Sequence, residues 1–183
     1  SVSERQRLYR ILDVDDLSDV IEYAEESAVS GYLEEMDIKK KVAVLTKMDA
    51  DKAVLLLEQL EKKERETLIE LLGDDVKKDI ALISSFDEDQ IGSKMTTNFI
   101  ALHADLSIKQ AMKELIRQAA DHDNIATLYV VDENNVFRGA IVLKDLIVAR
   151  EGSPLEDLII TSYPFVYAKE EIDDCIERIK DYS

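Results

Sequence analysis

Apolar residues recur three and four positions apart through the first half of the chain. Four strings that carry them line up at a spacing of twelve: Y-L-E-E-M-D from Tyr32, V-L-T-K-M-D from Val44, L-L-E-Q-L-E from Leu56 and L-I-E-L-L-G from Leu68. Their second positions are Leu33, Leu45, Leu57 and Ile69, and their fifth are Met36, Met48, Leu60 and Leu72. Fainter copies start at Leu8, Val20 and Ile80. Residues at this spacing share one face of a helix. Twelve residues hold a helix of about eight or nine residues, roughly 13 Å long, and a turn. So short a helix is unstable alone in water. It must bury its face against neighbouring copies, so the array gains stability by stacking. Asp37, Asp49 and Gly73 fall at the joints, where an Asp can cap the following helix. The spacing predicts a superhelix of short helices over residues 8–85, of either hand.

After Phe86 the pattern changes. A polar, glycine-containing stretch, F-D-E-D-Q-I-G-S-K-M-T-T, leads to alternating strand and helix signals. F-I-A-L-H from Phe99 reads as a strand. A helix follows, with Ser107 as N-cap and Ile108, Met112, Leu115 and Ile116 on its apolar face. A-T-L-Y-V-V-D from Ala126 reads as a buried strand. E-N-N from Glu133 is a hairpin turn, with Asn suited to positive φ. V-F-R-G-A-I-V-L is the returning strand, and K-D-L-I-V-A-R from Lys144 opens a second helix. The pattern restarts at an offset of 64, where Ala104, Ile108, Met112 and Leu115 align with Ala168, Ile172, Ile176 and Ile179. P-F-V-Y-A from Pro164 is the expected new strand, and the segment from Glu170 its helix. This second unit stops at Ser183, so its apolar helix face is expected to be covered by a partner or poorly ordered.

Composition narrows the function classes. The chain has 183 residues, 40 acidic and 23 basic, for a net charge of −17. That charge argues against nucleic acid as a partner, since phosphate binding needs Lys and Arg. It argues equally against docking on an anionic membrane surface. Cations and basic partners fit it better. A single Cys excludes an internal disulfide, and a reducing compartment is the simplest reading. No run approaches the roughly 18–20 apolar residues of a membrane span. The start, S-V-S-E-R-Q-R-L-Y, has no signal-peptide core and no initiator Met, so an excerpt, a processed form or a tag remnant is expected. Catalysis finds little support. His103 sits on an expected strand and His122 in a polar loop, without metal-ligand spacing. Cys175 lies on an amphipathic helix, where packing is its expected role. No nucleophile elbow, Walker or Rossmann glycine pattern occurs.

The β-α-β-β-α unit, with G-A-I-V-L-K-D-L following Y-V-V-D-E-N-N, resembles a CBS (cystathionine-β-synthase) domain, a module that occurs in tandem pairs. The linker E-D-Q-I-G-S-K-M-T, residues 88–96, is similar to the junction of MgtE-type magnesium transporters, and the twelve-residue array before it fits the same family. The resemblance implies an α + α/β architecture. A helical superhelix occupies 1–92 and a CBS pair 93–183, the first unit at about 93–152 and the second begun at about 153 and incomplete. It implies a cytosolic Mg²⁺-sensing region at the cytoplasmic face of the cell membrane. In that family Mg²⁺ bridges acidic surfaces of the N-domain, the CBS pair and a connecting helix, and stabilises the closed state. At low Mg²⁺ those surfaces repel and the pore opens. It further implies a homodimer through the CBS domains and a transmembrane pore domain outside this chain. The alternative is a CBS-based adenine-nucleotide sensor, or a helical-repeat scaffold, that controls another protein.

The charge divides as 13 basic against 24 acidic residues in 1–92, net −11, and 10 against 16 in 93–183, net −6. Two negative lobes repel unless cations intervene. Mg²⁺ keeps most of its waters and takes one or two carboxylates, so ligand spacing carries little signal. The candidate metal clusters are Asp74 and Asp75; Asp87, Glu88 and Asp89; and Asp173, Asp174, Glu177 and Asp181. By resemblance, Asp75 and the 173–181 helix are the nearest positional matches. Each cluster also reads as a solvated face or a helix start. CBS pairs can hold adenine nucleotides through Gly-x-Ile/Val-Ser/Thr-x-x-Asp. Here Lys144 and Asp145 are present, Val142 stands in place of the Ser/Thr, and Thr127 on the preceding strand is a candidate cleft residue. Asp145 reads equally as a helix cap.

Overall fold

The computed structural model describes residues 2–24, 26–120, 122 and 124–180. Seven helices start at residues 2, 14, 26, 38, 50, 62 and 74, one every twelve: α1 Val2–Ile11, α2 Val14–Glu22, α3 Glu26–Glu34, α4 Ile38–Lys47, α5 Ala50–Glu58, α6 Lys62–Leu71 and α7 Asp74–Ile83. Helices two apart pack on one another: α2 on α4, α4 on α6, α5 on α7. The repeat positions line this core. Leu33, Leu45 and Leu57 are fully buried, Met36, Met48 and Leu72 nearly so, and Leu60 and Ile69 pack from its margin. The array begins at Val2, six residues earlier than the apolar strings indicate. Ion pairing ties that first turn to the residue after α3. Arg5 Nε donates to Glu35 Oε2 at 3.2 Å, Tyr9 Oη donates to the same oxygen, and the Arg5 guanidinium stands 5.6 Å from the Tyr32 ring centroid. This is cation–π range.

The joints behave differently from one another. Asp13 and Asp37 accept from the N–H groups of Asp16 and Lys40 at 2.9 Å, satisfying donors that a helix start leaves open. The Asp49 side chain makes no such cap bond. Instead the Asp49 N–H donates to Glu22 Oε1 at 2.8 Å, across from α2. Burial pushes the Glu22 carboxyl up from its ordinary value, the Asp49 N–H works against that, and the nearby charges of Asp49, Asp19 and Asp51 push it up further. Lys41 is the other departure. It occupies the position held by Leu17, Val29 and Ala53 in neighbouring repeats, is buried, and pairs with Glu64 of α6.

Two compact units divide the chain: one runs to Thr97 and takes in Tyr167–Arg178, the other holds Asn98–Val166. The second is built on β1 Ile100–His103, α8 Ile108–Gln118, β2 Thr127–Val131, β3 Phe137–Val142 and α9 Leu143–Val148. The sheet order is β1-β2-β3, with β1 parallel and β3 antiparallel to β2. Ile100, Leu102, Leu128, Val130 and Ile141 join Ala111, Leu115 and Leu146 in a separate core. Ser107 caps α8 in a reciprocal box with Gln110. Asn135 takes φ 59° in the hairpin, and the Asp132 carboxylate accepts from the N–H groups of Asn134 and Val136 at 2.9 Å. Arg138 donates to the same carboxylate, which lies below its usual range, chiefly through the Val136 N–H.

The edge strand β1 is guarded by one side chain. Gln118 Nε2 donates to Ala101 O at 2.9 Å and Gln118 Oε1 accepts from Ala101 N at 3.2 Å, using up backbone groups that an edge otherwise offers to other chains. Gln118 also donates to Glu114 at 2.7 Å. Hydrogen bonds from Arg117 and then Gln118 hold the Glu114 carboxyl at about 2, against an ordinary 4.5. A depressed carboxylate stabilises the fold above its unfolded value and loses that contribution as pH falls through its folded value. NMR titration is expected to give a Glu114 midpoint near 2. In Gln118→Leu that midpoint should climb toward 4.5, and a wild-type midpoint already there would contradict the network.

A 3-10 turn at Ile91–Lys94, another at Leu155–Leu158, and α10 Ile172–Lys180 complete the elements. The strand expected at P-F-V-Y-A does not form: residues 164–168 lie outside any ladder. Pro164 has no N–H to give, and the 64-residue offset puts the counterpart of β2 beyond residue 183. What pairs instead is Ile160, which bridges Ala140 on β3. Among the described residues, no helix is long and apolar enough to cross a membrane.

Candidate cation and nucleotide sites

Asp74 and Asp75 open α7, where the helix dipole favours acid. Both are exposed, and Asp75 pairs with Lys78 at 3.3 Å. Glu88 and Asp89 are exposed in the linker, and Asp173, Asp174 and Glu177 are exposed on α10. Asp181 lies outside the described residues. The linker and α10 are brought together: Ile172 N–H donates to Asp89 O at 2.8 Å, and Gln90 bridges Glu171. The start of α7 is not brought to them by any bond, since the ten-residue helix sets its two ends about 15 Å apart. Among the described residues, no group of three His, Cys, Asp or Glu side chains is arranged to hold a metal.

The nucleotide candidates lie together in the second unit. Thr127 opposes Val142 across the β2–β3 ladder, and Leu143 N–H donates to Ala126 O at 3.0 Å, fixing the turn into α9. Thr127 is half-buried, while Lys144 and Asp145 are exposed in the first turn of α9. Val142 is the N-cap, so Asp145 is not the helix cap that its position allowed. Two surface grooves of about 280 and 220 Å³ lie on the helical array, and neither is lined by any of these residues. His103 is on β1 as expected, and Cys175 is fully buried, its thiol pushed up by that burial. A buried thiol held protonated is a packing residue.

Sequence reasoning missed Gly92 and Gln118. Gly92 carried a signal: it is one of the chain's five glycines and lies inside a motif-like junction. A Cβ there would stand 2.6 Å from the Phe86 ring and 2.7 Å from Ala168 O. Gln118 carried none, being one polar residue on a polar helix face.

The MgtE intracellular N domain model matches residues 1–89, and the CBS domain model residues 89–152. A magnesium transporter MgtE of Bacillus subtilis is 27% identical over 177 residues, 95% of this chain and 39% of that protein. The chain spans well under half the length of the curated relatives it matches. Among solved structures, the soluble part of a magnesium transporter superposes with TM-score 0.90 at 30% identity, over 100% of this chain and 72% of that one. The cytosolic domain of the Mg²⁺ channel MgtE in complex with ATP gives TM-score 0.90 at 20% identity, over 100% and 75%, and shares the fold. With its helical N domain, its junction and its CBS unit in that order, the chain belongs to the MgtE family of magnesium transporters.

Proposed function

We propose that this chain is the Mg²⁺-sensing regulatory region of a magnesium channel or transporter, with no catalytic role. It lies at the cytoplasmic face of the membrane that holds the pore. Residues 1–92 and 93–183 are its two working parts. Mg²⁺ held by their acids, drawn from Asp74, Asp75, Glu88, Asp89, Asp173, Asp174, Glu177 and Asp181, favours the closed state. The observation that carries this reading is the array, junction and CBS unit in one order, matched over the whole chain by the soluble part of a magnesium transporter. The acids among the described residues support it physically: they are exposed, numerous and not built into a tight cage, as a weakly held hydrated cation requires. Ile116, Ile147 and Val148, each more than 60% exposed on the packed pair α8 and α9, support a homodimer through the CBS unit.

X-ray scattering with and without millimolar Mg²⁺ tests both points. The radius of gyration should fall on adding Mg²⁺ and the mass should be that of two chains. Identical profiles would sink the sensing proposal, and a monomer mass would sink the dimer. A second reading, adenine-nucleotide sensing at Thr127, Lys144 and Asp145, is favoured by their shared corner and disfavoured by Val142. Calorimetric titration with ATP, AMP and Mg²⁺ separates the two readings.

A further inference from the structure

The two grooves on the helical array are one feature in successive repeats. Arg10, Met36 and Lys40 line the first, and Glu22, Met48 and Lys52, each twelve residues on, line the second. The joints correspond too, since Asp37 and Asp49 are the N-caps of α4 and α5. The second groove satisfies its own polar groups. Glu22 Oε1 accepts the Asp49 N–H at 2.8 Å, and Lys52 stands 3.7 Å from the Asp51 carboxylate. The acids whose charge reaches Glu22 are Asp49, Asp19 and Asp51.

The first groove keeps this frame and reverses its charge. Twelve residues back from Asp19, Glu22 and Asp51 stand Arg7, Arg10 and Lys39, with Lys40 next in the chain. Among the described residues, no carboxylate pairs with any of these four, and no acceptor meets the Asp37 N–H. Both acids of this groove are already engaged. The Asp37 carboxylate accepts the Lys40 N–H at 2.9 Å, and Glu35 Oε2 accepts from Arg5 and from the Tyr9 hydroxyl at 3.2 Å each. The Arg5 guanidinium holds the Glu35 carboxyl below its ordinary value.

We propose that the first groove is an oxyanion site for a small dianion that carries carboxylate or phosphate groups. In the second groove Glu22 shows where such an oxygen sits, on the N–H of the joint. In the first, Arg10 stands in place of that carboxylate and leaves the N–H to an oxygen from outside. A guanidinium takes a carboxylate or a phosphate through two parallel bonds, and Lys40 adds a point charge. Arg7 and Lys39 raise the local anion concentration on a chain that is acidic elsewhere. The cavity of about 280 Å³ is at the small end of solute sites. A dianion there links Arg10 of α1 to Lys40 of α4, a ligand-dependent tie at the first helices of the array.

NMR titration of the full chain with sodium succinate and with sodium phosphate tests the site, at an ionic strength fixed by sodium chloride and without divalent cations. The Asp37 amide and the Arg10 side chain should shift saturably, with a Kd of about 1 mM. The salt that saturates them identifies the oxyanion as carboxylate or phosphate. Arg10→Gln should weaken binding about tenfold or more, and adding Lys40→Gln should abolish it. Neither change removes a hydrogen bond or ion pair made by these side chains among the described residues. Arg10→Glu is the sharper variant. It should set a carboxylate on the Asp37 N–H as Glu22 does on Asp49, so that the Asp37 amide exchanges more slowly and neither salt moves it. Saturation by neither dianion, or saturable shifts that survive in the double Gln variant, would overturn the site. An Asp37 amide left unprotected in Arg10→Glu would overturn the equivalence of the grooves on which the site rests.

Discussion

Leu45→Ala is expected to cost about 2–5 kcal/mol of stability, the range for deleting a fully buried leucine side chain and leaving a cavity. Leu45 has no exposed surface and sits in the middle of the array, with Leu33 and Leu57 at the equivalent positions on either side. Helices of nine or ten residues have no independent stability with which to absorb the loss. A stack of short repeats passes the deficit to its neighbours. Thermal unfolding by circular dichroism should show the midpoint of the helical unit lowered by roughly 10 °C. Leu8→Ala is the control. Leu8 belongs to the same repeat system but is 51% exposed, so its loss should stay within about 0.5 kcal/mol. Equal effects from the two substitutions would mean that the twelve-residue register is not what builds the core.

Gly139→Val should be as damaging to the second unit. Gly139 has φ +149°, a region that side chains rarely adopt, and a Cβ there would stand 2.5 Å from Ile160 O. Ile160 bridges Ala140 through Ile160 N–H to Ala140 O at 2.8 Å and the return bond at 3.3 Å, so the clash falls on a paired segment that cannot step aside without losing both. Backbone strain of about 1–3 kcal/mol adds to an overpacking cost of similar size. The expected result is loss of the amide protection of Leu128 and Ile141, with that of Leu45 and Leu57 retained because the helical core is separate. Retained protection at Leu128 and Ile141 would show that the close approach is not required.

The helical array was legible because its signal is repeated. One string such as V-L-T-K-M-D fits any amphipathic helix, but seven copies at one spacing leave a single architecture, and the helix starts follow it. The β-hairpin was legible for a local reason: Asn135 can take positive φ where other residues are strained, and Asp132 is placed to close the turn. The P-F-V-Y-A strand was misread because strand signals report side-chain preference, whereas a ladder needs a neighbouring backbone. The candidate cation residues illustrate a deeper limit. Carboxylates that hold a hydrated ion need only share a surface, and nothing in the spacing of Asp89 and Asp173 tells that Ile172 N–H will meet Asp89 O. That contact depends on Gly92, whose role is to have no side chain.

Lys41 has a further consequence. The faces that the seven helices present are close to interchangeable, so a stack slipped by one repeat would bury nearly as much apolar surface as the native one. The slipped stack would not bring Glu64 to Lys41. It would seal an ammonium group against leucine and valine, and an unpaired buried charge is far costlier than any difference in apolar area between the two stacks. Of the basic residues in this column of the repeat, Arg5, Lys41, Arg65 and Lys77, Lys41 is the buried one, so its pairing with Glu64 works as an index mark that penalises slipped alignments of the array.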